Sequence, residues 1–423
     1  MYSLINTLGP SGSCKPNGKR KMTYFVLFAL CFFYLPVQAQ YGGGTGTQDN
    51  PYLIRTAEQM NAIGARPGDW NKHFQLRADI DLSEYTGTAY NIIGTDTQQS
   101  FGGVFDGNNY TISNLNLRTT RQWYTGLFGC VFGQIKNLGL ISPDIFAQGE
   151  KVGSLVGGLE QGSVTNCYVE KASVSGNNYI GGLVGSTSGR ITYCYSTGTV
   201  SGNTYVGGLV GFVGDATVDS CYSRANVTGN LEVGGLAGMT SNEASVVSNS
   251  YATGSVKGDT YAGGLIGQVE RGRAYKCYST GNVSGNQRVG GFTGYIRVLG
   301  DTTHCFWDTQ TSGWLTSPGG TGKTTAEMQT ISTFTDAGWD FWNTWTICEG
   351  TNYPVLMWQI PVADFLCPDG VDFIDFAFLA SHWLDDKCNA ANYSCEGTDL
   401  DNSGSVGFTD LEILADNWLK GIQ

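Results

Sequence analysis

A five-residue phrase, Gly-Gly-Leu-Val-Gly, returns at nearly constant spacing and limits what this chain can fold into more than any other feature. It stands at Gly181–Gly185 and Gly207–Gly211, and in altered form at Gly234–Gly238, Gly263–Gly267 and Gly290–Gly294. Gly153-Ser154-Leu155-Val156-Gly157 is an earlier copy and Thr125-Gly126-Leu127-Phe128-Gly129 a weaker one. Successive intervals are 28, 28, 26, 27, 29 and 27 residues. Self-similarity with a period of roughly 20–50 residues is the mark of a stacked-repeat architecture.

Each repeat carries more than glycines. A small residue followed by an aromatic recurs as Cys167-Tyr168, Cys194-Tyr195, Cys221-Tyr222, Ser250-Tyr251, Cys277-Tyr278 and Cys305-Phe306. Three residues upstream lie Val164, Ile191, Val218, Val247 and Ala274, a column that Thr302 breaks. A second column is Val174, Val200, Val227, Val256 and Val283, each followed by a turn such as Ser175-Gly176-Asn177 or Thr228-Gly229-Asn230. Short β-branched and aromatic runs between Gly/Asn/Ser turns are strand signals, and no 3.6-residue apolar stripe runs through the repeats. Two or three such strands cannot bury a face alone. Stacked at the ~4.8 Å strand spacing, each pairs with its equivalent in the next coil. The expectation is a mainly β chain, a parallel β-helix, with right-handed coiling the default for parallel crossovers.

In such a coil the glycines either take positive φ at a corner or let neighbouring coils approach closely. The Cys/Ser column points into the narrow interior. Tyr alternates with Cys, so an inward Cys turns Tyr outward and predicts an exposed aromatic ladder along one face.

The destination of the chain follows from its start and its charge. Lys19-Arg20-Lys21, the apolar run Thr23 to Leu35 and Val37-Gln38-Ala39 read as a cleaved signal peptide over 1–39, with Met22 an alternative start. The apolar run, about 13 residues, is too short to span ~30 Å of hydrocarbon. A retained N-terminal anchor is the other reading; no later stretch could cross a membrane, which places the mature protein outside the cytoplasm. The net charge of −12 and the lack of other basic runs argue against nucleic-acid binding. Among the cysteines, those in the repeat column behave as small buried hydrophobes, although neighbouring coils could pair them. Cys348, Cys367, Cys388 and Cys395 are the expected bridged set, with three connectivities open.

Flanking the repeats (101–313), residues 40–100 read as an N-terminal cap with the first coils, and 314–360 as a C-terminal cap. Thr56 with Gln59 opens a helix to about Ile63, and Phe74–Leu82 alternates as a half-buried strand. Thr324 with Glu327 opens another helix, expected to reach Thr333. The aromatic segment 334–358 packs over the last coil or forms a carbohydrate-binding platform. Gly319 to Thr324 mimics a phosphate loop, but Ser317 occupies the position of its first glycine and no buried strand precedes it.

The tail, 361–423, repeats itself: Phe373 to Leu384 recurs as Phe408 to Leu419, both ending in Trp-Leu. Ahead of the second copy, Asp399, Asp401, Ser403 and Asp410 take positions 1, 3, 5 and 12 of a calcium loop. Gly404 stands at the sharp turn and the Ser405 carbonyl at position 7. The first loop departs from this pattern: with Asp364 at position 1, Leu366 and Pro368 fall where side-chain ligands belong. Asp364, Asp369, Asp372 and Asp375 are its candidates for Ca²⁺.

The repeat resembles the GLUG motif of secreted bacterial surface proteins, through the Gly-Gly-Leu-Val-Gly phrase and the Cys-Tyr-Ser-Thr-Gly that follows it at Cys194 and Cys277. Some members of that group are zinc peptidases that cleave immunoglobulin A. Their chemistry needs His-Glu-x-x-His, and His73, His304 and His382 form no such motif, so that activity does not carry over. The tail resembles a dockerin type I module, which implies a cohesin-like partner or a cell-surface component. The expected function is that of a non-catalytic adhesin, spacer or scaffold, with a glycan or protein bound along the solenoid. The alternative is a polysaccharide lyase or glycoside hydrolase. Asp215 with Asp219, or Glu270 beside Arg271 and Arg273, would then supply the carboxylates, which hydrolysis sets ~5–10 Å apart.

Overall fold

The computed structural model describes residues 41–420 apart from Val298, Pro368, Ala390 and Ala391; the expected signal peptide lies outside the described residues. The repeats coil into a parallel β-helix. Seven strands, from Phe128–Val131 to Thr293–Ile296, make one sheet, and the other strands of each coil belong to a 27-stranded set that wraps the remaining faces. All these pairings are parallel and join equivalent residues. Val164, Ile191, Val218, Val247 and Ala274 stand in one file. Val174, Val200, Val227, Val256 and Val283 stand in another. Cys167, Cys194, Cys221 and Cys277 are fully buried, as is Ser250 in the same file. Their thiols rest on backbone carbonyls, for example Cys194 Sγ on Thr192 O at 3.1 Å. The column cysteines remain free, and among the described residues the disulfides are Cys348–Cys367 and Cys388–Cys395.

Of the two roles open to the phrase glycines, the structure selects close approach. None of them has positive φ. A Cβ on Gly182 would lie 2.1 Å from the Gly208 carbonyl oxygen, one on Gly208 2.1 Å from that of Gly235, and one on Gly264 2.1 Å from that of Gly291. Only hydrogen fits between coils there. Positive φ is instead carried by larger residues at the corners, most often in two long files. Asn137, Asn166, Tyr193, Ser220, Asn249 and Lys276 form one left-handed file, at φ +45° to +55°. Tyr124, Lys151, Tyr179, Tyr205, Glu232, Tyr261 and Arg288 form the other, at +54° to +60°. Each such residue costs about 1–2 kcal/mol against its ordinary backbone. Contacts between rungs offset this, such as Asn166 Nδ2 donating to Asn137 Oδ1 at 3.0 Å.

The outward tyrosines do form a ladder: Tyr168, Tyr195, Tyr222, Tyr251 and Tyr278 stack with centroids 4.8–5.0 Å apart and planes within 5°. Each such pair contributes ~0.5–1.5 kcal/mol beyond its buried area. The expectation of an exposed ladder is corrected, however. Tyr222, Tyr251 and Tyr278 are only 7%, 1% and 1% exposed, because the C-terminal segment lies along them. Trp339, Trp345, Leu356 and Trp358 cover the rings, and Tyr278 Oη donates to the Pro354 carbonyl at 2.6 Å. Trp358 Nε1 reaches the Ser220 carbonyl at 3.1 Å, far back along the flank. Thus 334–358 is a lateral strap rather than a lid over the last coil. The coil end is met by the stretch before it, where Thr321–Lys323 pairs with Phe306–Asp308 and Trp314 Nε1 donates to Val283 O at 2.8 Å.

At the other end, helix Ala57–Gly64 is capped by Thr56 and packs Met60 and Ile63 into the solenoid core. Phe74, Leu76, Ile80 and Leu82 are all buried, but as two short strands, His73–Leu76 and Ile80–Asp81, that turn a corner between them. The Thr324–Glu327 capping box is present, and the helix behind it stops at Met328; a second runs Ile331–Thr335.

Candidate functional site

The tail folds as two loop–helix units, Asp364 to Ser381 and Asp399 to Asp416, related by a 35-residue offset. The units clasp each other reciprocally. Leu419 N donates to Val371 O and Leu384 N to Val406 O, at 2.9 and 3.1 Å. Phe373 meets Trp418 edge-on, and Phe408 meets Trp383 in the same way. Val371 and Val406 are buried at equivalent places in a small core with Leu379 and Leu414.

In the second loop, Asp399, Asp401 and Asp410 bring oxygens within 4.8 Å of one another. The loop's own N–H groups aim them. Asp399 accepts from Ser403 N and Gly404 N, both at 3.0 Å. Asp410, almost fully buried, accepts from Leu400 N at 2.6 Å and Gly407 N at 2.8 Å. Gly404 turns the chain at φ +92°. Ser403 Oγ lies 3.1 Å from the Ser405 carbonyl oxygen, so the two stand side by side. Hydrogen bonds from Ser403 hold Asp401 below the usual carboxylate range. Three converging carboxylates with adjacent hydroxyl and carbonyl oxygens form a hard-oxygen set of the kind a Ca²⁺ ion takes.

The first loop keeps part of that frame. Asp375 accepts from Phe365 N at 2.7 Å and Asp372 N at 2.9 Å, matching Asp410. Asp364 Oδ2 accepts from Gly370 N at 3.0 Å, while its Oδ1 is buried without a partner. Burial, with the charges of Asp375, Asp369 and Asp372, pushes Asp364 up to about 7. Asp372 is spent as the helix N-cap, its Oδ1 accepting from Ile374 N at 2.6 Å, and Asp369 is exposed. Among the described residues this loop assembles no three-acid cluster. The cause is local: Cys367 is tied to Cys348, and the glycine falls one place later than in the second loop.

On the solenoid, the acids considered for hydrolysis are otherwise engaged. Asp219 accepts from Ser220 Oγ, Ser248 Oγ and Asn249 Nδ2 at 2.9, 2.5 and 2.9 Å, a corner-fixing role, and Asp215 is exposed. Glu270 pairs with Arg297. A different acid, Glu232, is only 6% exposed and its Oε2 has no partner. The sequence carried a usable sign of it. The residue two places before each phrase reads Lys151, Tyr179, Tyr205, Glu232, Tyr261, Arg288, and one acid stands in an aromatic and basic file.

Residues 176–201 and 202–228 match the GLUG motif. A proposed Gly-rich membrane protein of Evansella cellulosilytica is 34% identical over 415 residues, covering 78% of this chain and 47% of that protein. Halomucin of Haloquadratum walsbyi is 33% identical over 348 residues, covering 78% of this chain and 4% of its own length. The chain therefore spans about half of one curated relative and a small part of the other. A crystal structure of a proposed immunoglobulin A1 protease from Bacteroides ovatus superposes with a TM-score of 0.52 at 22% identity, over 75% of this chain and 96% of that one. At that identity the likeness is one of fold.

Proposed function

We propose that this chain is a non-catalytic extracellular or cell-surface β-solenoid protein, held in place through a calcium-binding, dockerin-like tail. The carrying observation is the convergence of Asp399, Asp401 and Asp410 in a loop whose N–H groups already orient them. Ca²⁺ would be held there with Ser403 Oγ and the Ser405 carbonyl. Neutralising the three carboxylates, it would fix the angle at which the following helix leaves the loop. A first-loop ion would involve Asp364 and Asp375, with Asp369 and Asp372 placed less favourably.

A surface role is supported by the relatives, one described as a membrane protein and the other as halomucin. Among the described residues no helix is long and apolar enough to cross a membrane. The tail's helix starts leave Phe373 and Phe408 78% and 81% exposed, which suits capture of a cohesin-like protein or another cell-surface component. Non-catalysis is supported by the engagement of Asp219 and Glu270 in structural contacts. A polysaccharide lyase or glycoside hydrolase remains the competing reading, and glycan bound along the solenoid is common to both.

Calorimetric titration of the full chain with Ca²⁺ tests the tail. Saturable heat that disappears in Asp399→Asn and Asp410→Asn is expected; heat unchanged in both removes the calcium loop. A polysaccharide panel tests the rest: binding without release of reducing or unsaturated ends is expected, and turnover would replace the adhesin by an enzyme.

A further inference from the structure

The corner file that includes Glu232 is also a ladder of rings and charges. Lys151 lies with Nζ 4.7 Å from the centre of the Tyr124 ring, 3.3 Å from Tyr124 Oη and 2.9 Å from Glu160 Oε1. An ammonium group is thus bound on this surface by a tyrosine face, a phenol and a carboxylate, and the chain supplies it. Tyr179 and Tyr205 stack next at 4.8 Å, with Phe212 edge-on to both. At the far end Arg288 covers the rings of Tyr261 and Tyr295 at 5.2 and 4.4 Å.

Between these ends stands Glu232, with Tyr205 on the rung before it and Tyr261 on the rung after. Among the described residues its carboxyl has no cation, and Oε2 has no hydrogen-bond partner. The facing position, held by Phe212 one rung earlier, is Met239, 6% exposed. Glu270 adds a second negative charge, itself paired with Arg297. Tyr205 and Tyr261 are half-buried, so rings that reach solvent flank the buried acid on both sides. A buried acid without a partner between aromatic neighbours lacks only the group that Lys151 provides at the Tyr124 rung.

We propose that the Glu232 rung is a binding site for an organic ammonium group, held by the Glu232 carboxylate and the flanking faces of Tyr205 and Tyr261. Aromatic walls and the thioether of Met239 favour an alkylammonium over a strongly hydrated metal ion. Burial, and secondarily Glu270, pushes Glu232 up to about 7, so an incoming cation recovers the charge that the empty rung suppresses. The ammonium has two natural sources, an amino sugar of a surface glycan or a lysine side chain of a protein. The site goes beyond the calcium-dependent tail and does not depend on it.

Full-length protein is titrated at pH 7, where amino-sugar and lysine amines both carry charge, with the glucosamine trimer, its fully N-acetylated counterpart and the lysine trimer. The free-amine trimers are expected to bind saturably, the acetylated one at least tenfold more weakly, and Glu232→Gln to lose at least tenfold for the amines. The stronger amine names the source. Tyr205→Leu keeps the acid, removes one ring and should also weaken amine binding several-fold, a second reading should Glu232→Gln fold poorly. Equal binding of acetylated and free trimers, no binding of either amine, or amine affinity unchanged in both variants overturns the site.

Discussion

Replacing Gly208 by alanine adds one methyl group where the coils are closest. Its Cβ would stand 2.1 Å from the Gly235 carbonyl oxygen and 2.2 Å from Ser223 Oγ. Reaching ordinary contact requires about 1 Å of separation between two coils. The hydroxyl can rotate away, but the carbonyl belongs to a ladder. Gly208 N donates to Gly234 O at 3.2 Å and Leu209 N to Leu236 O at 2.9 Å, and both bonds would stretch beyond useful range. Overpacking costs ~1–3 kcal/mol, and two weakened backbone bonds about 1 kcal/mol each. The sum, about 3–5 kcal/mol, corresponds to a loss of roughly 4–8 °C in melting temperature for a solenoid of about 300 residues, at about 2.1 cal/mol/K of unfolding entropy per residue. The comparison is Gly68→Ala, where a Cβ meets nothing within 4 Å and φ is not positive; its change should stay within about 0.5 kcal/mol. Thermal and urea unfolding followed by far-UV circular dichroism read both variants. Equal midpoints for the two would falsify the claim that the phrase glycines exist to let coils touch.

Three further outcomes are expected. Trp345→Ala, at a fully buried position against Tyr251 and Tyr278, should cost ~3–5 kcal/mol and loosen the strap first. Limited proteolysis would then cut within 324–360 while the coils stay intact, and a strap as resistant as wild type would contradict the packing described. Glu232, titrating near 7 folded against about 4.3 unfolded, keeps a proton that the unfolded chain releases; stability attributable to it is complete below pH ~4.3 and lost as pH rises through 7. Glu232→Gln should remove that decline, seen as a flatter melting temperature from pH 4.5 to 8, and an unaltered slope would place the decline elsewhere. Calcium at about 100 times its Kd should stabilise the tail by ~2.7 kcal/mol, read as a chelator-sensitive second transition that Asp399→Asn abolishes; a transition blind to chelator would separate the tail's stability from calcium.

The coil itself was legible in the sequence because a solenoid writes its geometry into the period. When equivalent residues stack, each position sees the same neighbours above and below it. Val164, Ile191 and Val218, or Tyr195, Tyr222 and Tyr251, therefore keep their chemistry from turn to turn. The clustering of acids in the second loop was legible for a similar reason, since Asp399, Asp401 and Asp410 lie within twelve consecutive positions. The first loop was only half legible: the frame of Asp364 and Asp375 survives, while Cys367 draws the chain toward Cys348.

What the sequence determined by itself was the local and periodic part: the rung length, the inward and outward columns, the helix caps at Thr56 and Thr324, and the spacing of the loop acids. Tertiary structure alone decided which outward columns meet solvent. Tyr251 and Tyr278 stand on rungs whose pattern matches half-buried Tyr168, yet Gln359 and Pro354, 108 and 76 residues further on, hold their hydroxyls. Backbone handedness at the corners was likewise hidden, because tyrosine, lysine and glutamate adopt φ near +57° there only when the rungs on either side hold them. The same contacts placed Glu232 between two aromatic rungs. Exposure and charge environment are properties of the space between segments, and a pattern along one segment does not contain them.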